Sequence, residues 1–274
     1  MIKKLSVILL LLSSYCYSQE VNTDIREYGS FKEGTTYFIM SSDKKYNKII
    51  NDILIKYWTV NKFEMIKPNQ VEKLKGASSF FVDQVEYSFS RTAGTTGALN
   101  MAYGVTKLAM FKEYKKNTPK DVLSLVQLDK ISPVEMLFSI QMMQSEINFV
   151  FDLNKKKDLD LKDYLDEVNE RNKKRIQNKT LYVTRNGLKD EIDHEEGLKK
   201  VYNYKFLFTT TENIEKAIED QNEDAVFLKV INYKNLKFVL FICAKNSELL
   251  YGRVMTGFNQ AQIGPKFFKD VSDD

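Results

Sequence analysis

Apolar residues recur at three- and four-residue steps through Tyr46, Ile49, Ile50, Ile53, Leu54, Tyr57 and Trp58. That spacing puts all seven on one face of a 3.6-period helix, so an amphipathic helix with this face buried is expected. Tyr57 and Trp58 are read as packing residues. A short strand from Tyr37 to Met40 precedes the helix, and a second from Lys62 to Ile66 follows it. A short helix and a third strand, Ser79 to Val82, complete the run.

The same order returns from Thr180. Strands are expected at Leu181 to Thr184, Lys205 to Phe208 and Ala225 to Val230, with a weaker helical stripe of Ile192, Leu198, Val201 and Tyr202 interrupted by Gly197. Similar words fix the register: Val71-Glu-Lys-Leu74 against Ile214-Glu-Lys-Ala217, and Asn61-Lys-Phe63 against Asn203-Tyr-Lys-Phe206. Repetition at long period is the mark of a duplicated unit. Strands alternating with helices imply parallel pairing through right-handed crossovers. Each copy then runs on into an apolar stretch, Gly104 to Phe111 and Leu236 to Cys243, expected to pair antiparallel at the sheet edge.

Between the copies, Ser132-Pro133-Val134-Glu135 has the form of a capping box with proline at the first helical position. It opens a helix with Met136, Ile140, Met143, Ile147 and Val150 on one face. A second helix from about Asp160 carries Leu161, Tyr164, Leu165, Val168 and Ile176. The expected fold is α/β: two duplicated βαβαβ-type units with antiparallel edge strands, joined by a two-helix segment. Its divisions are a signal peptide over 1–18, a first unit over 19–120, a helical connector over 121–178 and a second unit over 179–274.

The leader changes the picture of where the chain goes. Lys3 and Lys4, an apolar run from Leu5 to Leu12, and small residues at Cys16 and Ser18 before Gln19 have the three-part form of a secretory signal. The apolar run is about half the ~20 residues that a membrane-crossing helix needs, so no transmembrane span is expected. Lipidation through Cys16 is disfavoured by Tyr15, because that signal wants a small residue just before the cysteine. Export to the periplasm or beyond is the expectation. Cleavage leaves Cys243 as a lone thiol inside an apolar strand, read as packed. The leader ending Tyr17-Ser18-Gln19 resembles those of Bacteroidetes-type bacteria, and the overall pattern resembles uncharacterised exported proteins of such bacteria. That resemblance brings no motif of assigned activity, and no functional residue is carried over from it.

Charge excludes one class of partner. The chain of 274 residues has 41 Lys and Arg against 37 Asp and Glu, and loss of the leader lysines leaves 39 against 37. Attraction to nucleic acid or anionic lipid needs a larger excess or a concentrated patch, and the basic cluster Arg171 to Lys179 is read as a solvated helix end. With only 4 Pro, 11 Gly and 2 Cys, collagen-like and disulfide-framework classes fall away.

Candidate chemistry is sparse. His194, the only histidine, lies in Asp190-Glu-Ile-Asp-His-Glu-Glu196, whose acidic residues suit the first turn of a helix. One histidine and one packed cysteine do not make a zinc site, and Asp152, Asn154, Asp158, Asp160 and Asp163 lack the spacing of a calcium loop. No metal and no cofactor are expected. The segment Ser88 to Gly104 is rich in glycine and hydroxyls but has no P-loop ending, and is read as a hairpin connection. Its Arg91, Thr92, Thr95 and Thr96 are candidate ligand-binding residues, with Asp43 and His194 in the two equivalent βα loops. The function expected is an exported, non-catalytic binding or scaffold protein of the cell envelope, its partner an envelope protein or a small ligand. The alternative is a hydrolase using carboxylates at the carboxyl ends of the strands, where parallel sheets place their sites.

Overall fold

A computed structural model describes residues 20–76, 78–92, 100–113, 120–128, 131–233, 236–256 and 262–273. The leader with Cys16, and Thr95 and Thr96, lie outside the described residues. Two sheets of the same strand order account for the strands. The first contains β1 (Glu20–Val21), β2 (Thr35–Ile39), β3 (Lys62–Ile66), β4 (Ser79–Thr92), β5 (Asn100–Glu113) and β6 (Lys120–Leu128). Their order is β1-β6-β5-β4-β2-β3. The second contains β7 (Thr180–Val183), β8 (Phe206–Phe208), β9 (Ala225–Tyr233), β10 (Leu236–Cys243) and β11 (Leu249–Thr256), in the order β11-β10-β9-β7-β8. In both, the first strand of the unit, β2 or β7, runs parallel to two neighbours and an antiparallel meander of two further strands follows. The chain is thus a duplicated α/β unit, with β1 added at one edge.

The helices extend the correspondence. In the first unit α1 (Ile25–Tyr28) leads, α2 (Lys44–Tyr57) joins β2 to β3, and α3 (Val71–Leu74) joins β3 to β4. After β6 come α4 (Pro133–Leu153) and α5 (Leu161–Gln177). The second unit has α6 (Glu195–Lys199), α7 (Thr211–Glu219) and, after β11, α8 (Pro265–Asp273). The residues 121–128, assigned from sequence to the connector, belong to β6 and pair with β5.

Strand alternation sorts the core by face. On the first sheet, Phe38, Phe80, Val82, Leu108 and Met110 point to the side covered by α2 and α4. Ile39, Ile66 and Phe81 point to the other side, against Val71 of α3. On the second sheet, α6 and α8 share one face with Leu181, Val183, Val226, Val239 and Phe241. The opposite face, with Ala225, Phe227, Phe238, Leu240 and Ile242, meets α7 and α4. Two consequences follow. First, α4 stands to the first sheet as α8 stands to the second, so the repeated unit includes its terminal helix, and α5 and the short α1 are the unduplicated helices. Second, the two sheets approach α4 with opposite faces, stacked head to tail.

The character of α4 follows from that position. It has 21 residues, of which Val134, Leu137, Phe138 and Met142 are buried as well as the predicted stripe of Met136, Ile140, Met143, Ile147 and Val150. A helix apolar on every side is one buried on every side. Sequence spacing identified one seam, whereas both flanks are in use: one core cluster runs unbroken from the first sheet through α4 to the second. Polar contacts complete the join. Ser132 caps α4 by accepting from the Glu135 N–H at 3.2 Å, while the Glu135 carboxylate reaches Lys229 of β9 at 3.1 Å. Ser145 Oγ donates to the Asn246 carbonyl at 2.7 Å.

The second copy of the first crossover helix is shorter than its sequence stripe implied. Only Glu195–Lys199 is helical, with Gly197 at its centre, a residue that weakens a helix interior by about 1 kcal/mol relative to alanine. Ile192, Leu198, Val201 and Tyr202 are all buried nonetheless. Gly197 has a positive role as well: a methyl group there would overlap the Glu191 carbonyl oxygen. Gly197→Ala is therefore expected to destabilise the protein by about 1–3 kcal/mol, the usual cost of overpacking, read as a lowered urea midpoint. Cys243 is a buried free thiol of β10.

Candidate functional site

The residues picked out by sequence occupy separate places. Asp43 ends the loop after β2, where its carboxylate accepts from the backbone N–H groups of Lys45 at 2.8 Å and Tyr46 at 3.3 Å. It is the N-cap of α2. Asp43→Ala is expected to cost about 0.5–2 kcal/mol of stability through the lost cap, measured by chemical denaturation. His194 occupies the equivalent position in the second unit, at the start of α6, with Nδ1 3.1 Å from Asp193 Oδ1 and the ring half exposed. Arg91 and Thr92 end β4, opposite Met101 and Asn100. Since β2 runs beside β4 only as far as Val82, Arg91 lies about 30 Å further along the strand at ~3.3 Å per residue. Asp43 and Arg91 are therefore not brought to one pocket. Among the described residues no group of three or more His, Cys, Asp or Glu could hold a metal ion, and no helix is long and apolar enough to cross a membrane.

A different site emerges at the open edge of the second sheet. After α6 the chain reads Tyr202-Asn-Tyr204-Lys-Phe206-Leu-Phe208, aromatic at every second position. Only Phe206–Phe208 is strand. Tyr202 closes the end of α6, its N–H donating to the Leu198 carbonyl at 2.9 Å. The bend that follows brings its ring beside Tyr204 and, at 6.5 Å, Phe206, so the four rings gather into one bent file. Tyr202 meets Tyr204 edge-on at 5.4 Å between centroids, and Phe206 meets Phe208 at 5.9 Å. Tyr202 anchors the file, packing on Phe241 and Phe268 at 6.0 Å each. Burial, with Tyr204 beside it, holds its phenol well above the ordinary tyrosine range. Tyr204 is tied down at the C-terminal helix, its hydroxyl donating to the Ser272 carbonyl at 3.4 Å. Tyr202 is buried, Tyr204, Phe206 and Phe208 are partly buried, and Leu207, on the opposite face of β8, is 47% exposed.

The file borders a cavity of about 450 Å³, closed on its other side by Glu195 and Lys199 of α6. Lys199 and Lys205 line the cavity, and the Arg185 guanidinium stands over the Phe208 ring at 5.3 Å. Rings of this kind offer large rigid contact area with directional preferences, and the surrounding cations favour an anionic or carboxylate-bearing ligand. The arrangement is suited to holding an extended or planar apolar group. Sequence reading placed a strand here and put Tyr202 in the helical stripe, where its N–H does close the last turn on the Leu198 carbonyl; the recurrence of aromatics at every second position was the signal for the groove.

A second cavity, of about 270 Å³, lies between α5, β11 and α8, lined by Asp166, Glu170, Lys173 and Tyr251 among others. Its neighbour Asn169 is committed to structure: the side-chain amide accepts from the Gly252 N–H at 2.8 Å and donates to the Gly252 carbonyl at 3.1 Å.

Comparison with protein-family models, with curated proteins and with solved structures finds no match to this chain.

Proposed function

We propose that the chain is an exported, non-catalytic binding or scaffold protein of the bacterial cell envelope, and that it takes its partner in the aromatic groove beside β8. The leader residues support export. The observation that carries the binding reading is the aromatic file itself, with Tyr204, Phe206 and Phe208 only partly buried beside the cavity at a sheet edge. Exposed aromatic surface backed by a rigid core is the usual setting of an interaction site. Asp43 and His194, on which a hydrolase reading leaned, sit at the starts of two helices in different units.

The test compares the wild-type protein with the double variant Phe206→Ser, Phe208→Ser in crosslinking to envelope fractions. The same partner should be recovered by the wild type and lost by the variant at a temperature where circular dichroism shows both folded, since the variant gives up part of the packing of two rings on the second core. Equal recovery by both, or none by the wild type, overturns the assignment of this groove.

A further inference from the structure

The two sheets have four edges, and three of them are protected, each by a different device. The outer side of β6 is closed by β1, a two-residue strand pairing Glu20 with Leu125 and Val21 with Ser124. The edge strand β3 exposes charged Lys62 and Glu64. At β11, α5 lies alongside, and Asn169 and Asn172 bond the backbone of Gly252 and Leu249. Charges, side-chain caps and added strands are how native sheets avoid unwanted pairing. The fourth edge, β8, reads Phe-Leu-Phe and has none of these devices among the described residues.

Hydrogen-bond parity says what that edge offers. Leu181 N–H donates to the Lys205 carbonyl at 2.9 Å, and Thr209 N–H donates to the Val183 carbonyl at 3.0 Å. Odd-numbered residues thus turn their backbone groups toward β7. Phe206 and Phe208, half a repeat out of step, turn N–H and C=O toward the open side. Buried or half-buried backbone groups of this kind call for partners. Resting on the proposed binding role of the groove, we infer that β8 is a strand-addition site: an extended polypeptide segment pairs with it as the sixth strand of the second sheet. Main-chain bonds to Phe206 and Phe208 hold the segment, and its apolar side chains at alternate positions lie on the aromatic file. Lys199 and Lys205 in the groove against the single carboxylate of Glu195, with Arg185 over the Phe208 ring, select a segment with acidic residues at its ends.

The probe is a capped synthetic peptide alternating valine and threonine, with glutamate at each end, added to the full chain. Hydrogen exchange at the Phe206 and Phe208 amides is expected to slow by about tenfold or more, the size of one backbone hydrogen bond gained. Phe206→Pro removes only an outward N–H and leaves pairing with β7 intact, which an edge strand tolerates; Phe206→Ala removes the same ring but keeps the N–H. The proline variant is expected to bind about tenfold more weakly than the alanine variant. A peptide with glutamine for glutamate should bind more weakly, and that difference should shrink in high salt. If the proline variant does not fold, exchange on the wild-type chain decides alone. Unchanged exchange at both amides, equal binding by the proline and alanine variants, or no peptide binding overturns strand addition. Protection that rises with protein concentration without peptide would also overturn it, assigning the edge to a second copy. The groove reading survives such a result if the crosslinked partner still depends on Phe206 and Phe208; both fail if it does not.

Discussion

Raising the pH above 10 is expected to unfold this protein cooperatively, within about two pH units. Tyr28, Tyr46, Tyr164 and Tyr202 are all buried, and burial pushes each phenol well above its ordinary value of 10. The carboxylate of Glu146 adds to the effect at Tyr28 and Tyr164. In the unfolded chain these phenols ionise from about pH 10, while the folded chain keeps their protons. The unfolded state then binds fewer protons, so stability is intact below pH 10 and falls as the pH rises. Each such tyrosine removes about 1.4 kcal/mol per pH unit. Four together remove about 5–6 kcal/mol per unit, against a total stability that is typically about 5–15 kcal/mol. Spectrophotometric titration should show exposed tyrosines ionising first, then a steep second phase coinciding with loss of far-ultraviolet circular dichroism. A single smooth phase with the dichroism unchanged would show that these side chains are not buried as described.

The second large effect is expected at α4. Phe138 is 2% exposed, meets Phe227 of β9 edge-on at 6.0 Å and lies 4.5 Å from the Lys229 ammonium. It is the ring by which the first unit's terminal helix grips the second unit. Truncation to alanine removes a fully buried aromatic and leaves a cavity between the two units, which costs about 3–5 kcal/mol. Lys229 also loses the face on which its charge rests, though its bond to Glu135 persists. Phe138→Ala is therefore expected to lower the urea midpoint sharply. An effect below about 1 kcal/mol would mean that α4 does not pack against β9.

How much of this was legible in the sequence differs from element to element. The seven-residue stripe of α2 and the seam of α4 were readable because helical burial repeats on a short period that neighbours in sequence carry by themselves. Duplication was readable because both copies keep the same order of apolar runs. The strand β6, in Lys120-Asp-Val-Leu-Ser-Leu-Val-Gln-Leu128, was not, since its apolar residues do not alternate strictly and its identity as a strand comes from pairing with β5. The stacking of opposite sheet faces on α4 was not legible either: alternation along a strand distinguishes two faces but does not say which one meets a given helix. Among candidate site residues, Asp43 and His194 drew attention as chemical groups, while the structure uses them at helix starts. The aromatic file was overlooked because Tyr202 fits a helical spacing with Leu198 and an extended spacing with Tyr204 equally well. The structure uses both relations: the Tyr202 N–H closes the last turn on the Leu198 carbonyl at 2.9 Å, and its ring meets Tyr204.

The account rests on α4 fusing two like units into one core, and two residues report on the two units separately. Trp58, the single tryptophan, packs in the first unit against Phe38 at 5.2 Å, and Cys243 is buried in the second. In a Cys16→Ser background, urea unfolding followed by Trp58 fluorescence and by Cys243 thiol labelling should give one midpoint for both probes. Two separated transitions, with one reporter released while the other stays native, would contradict a shared core.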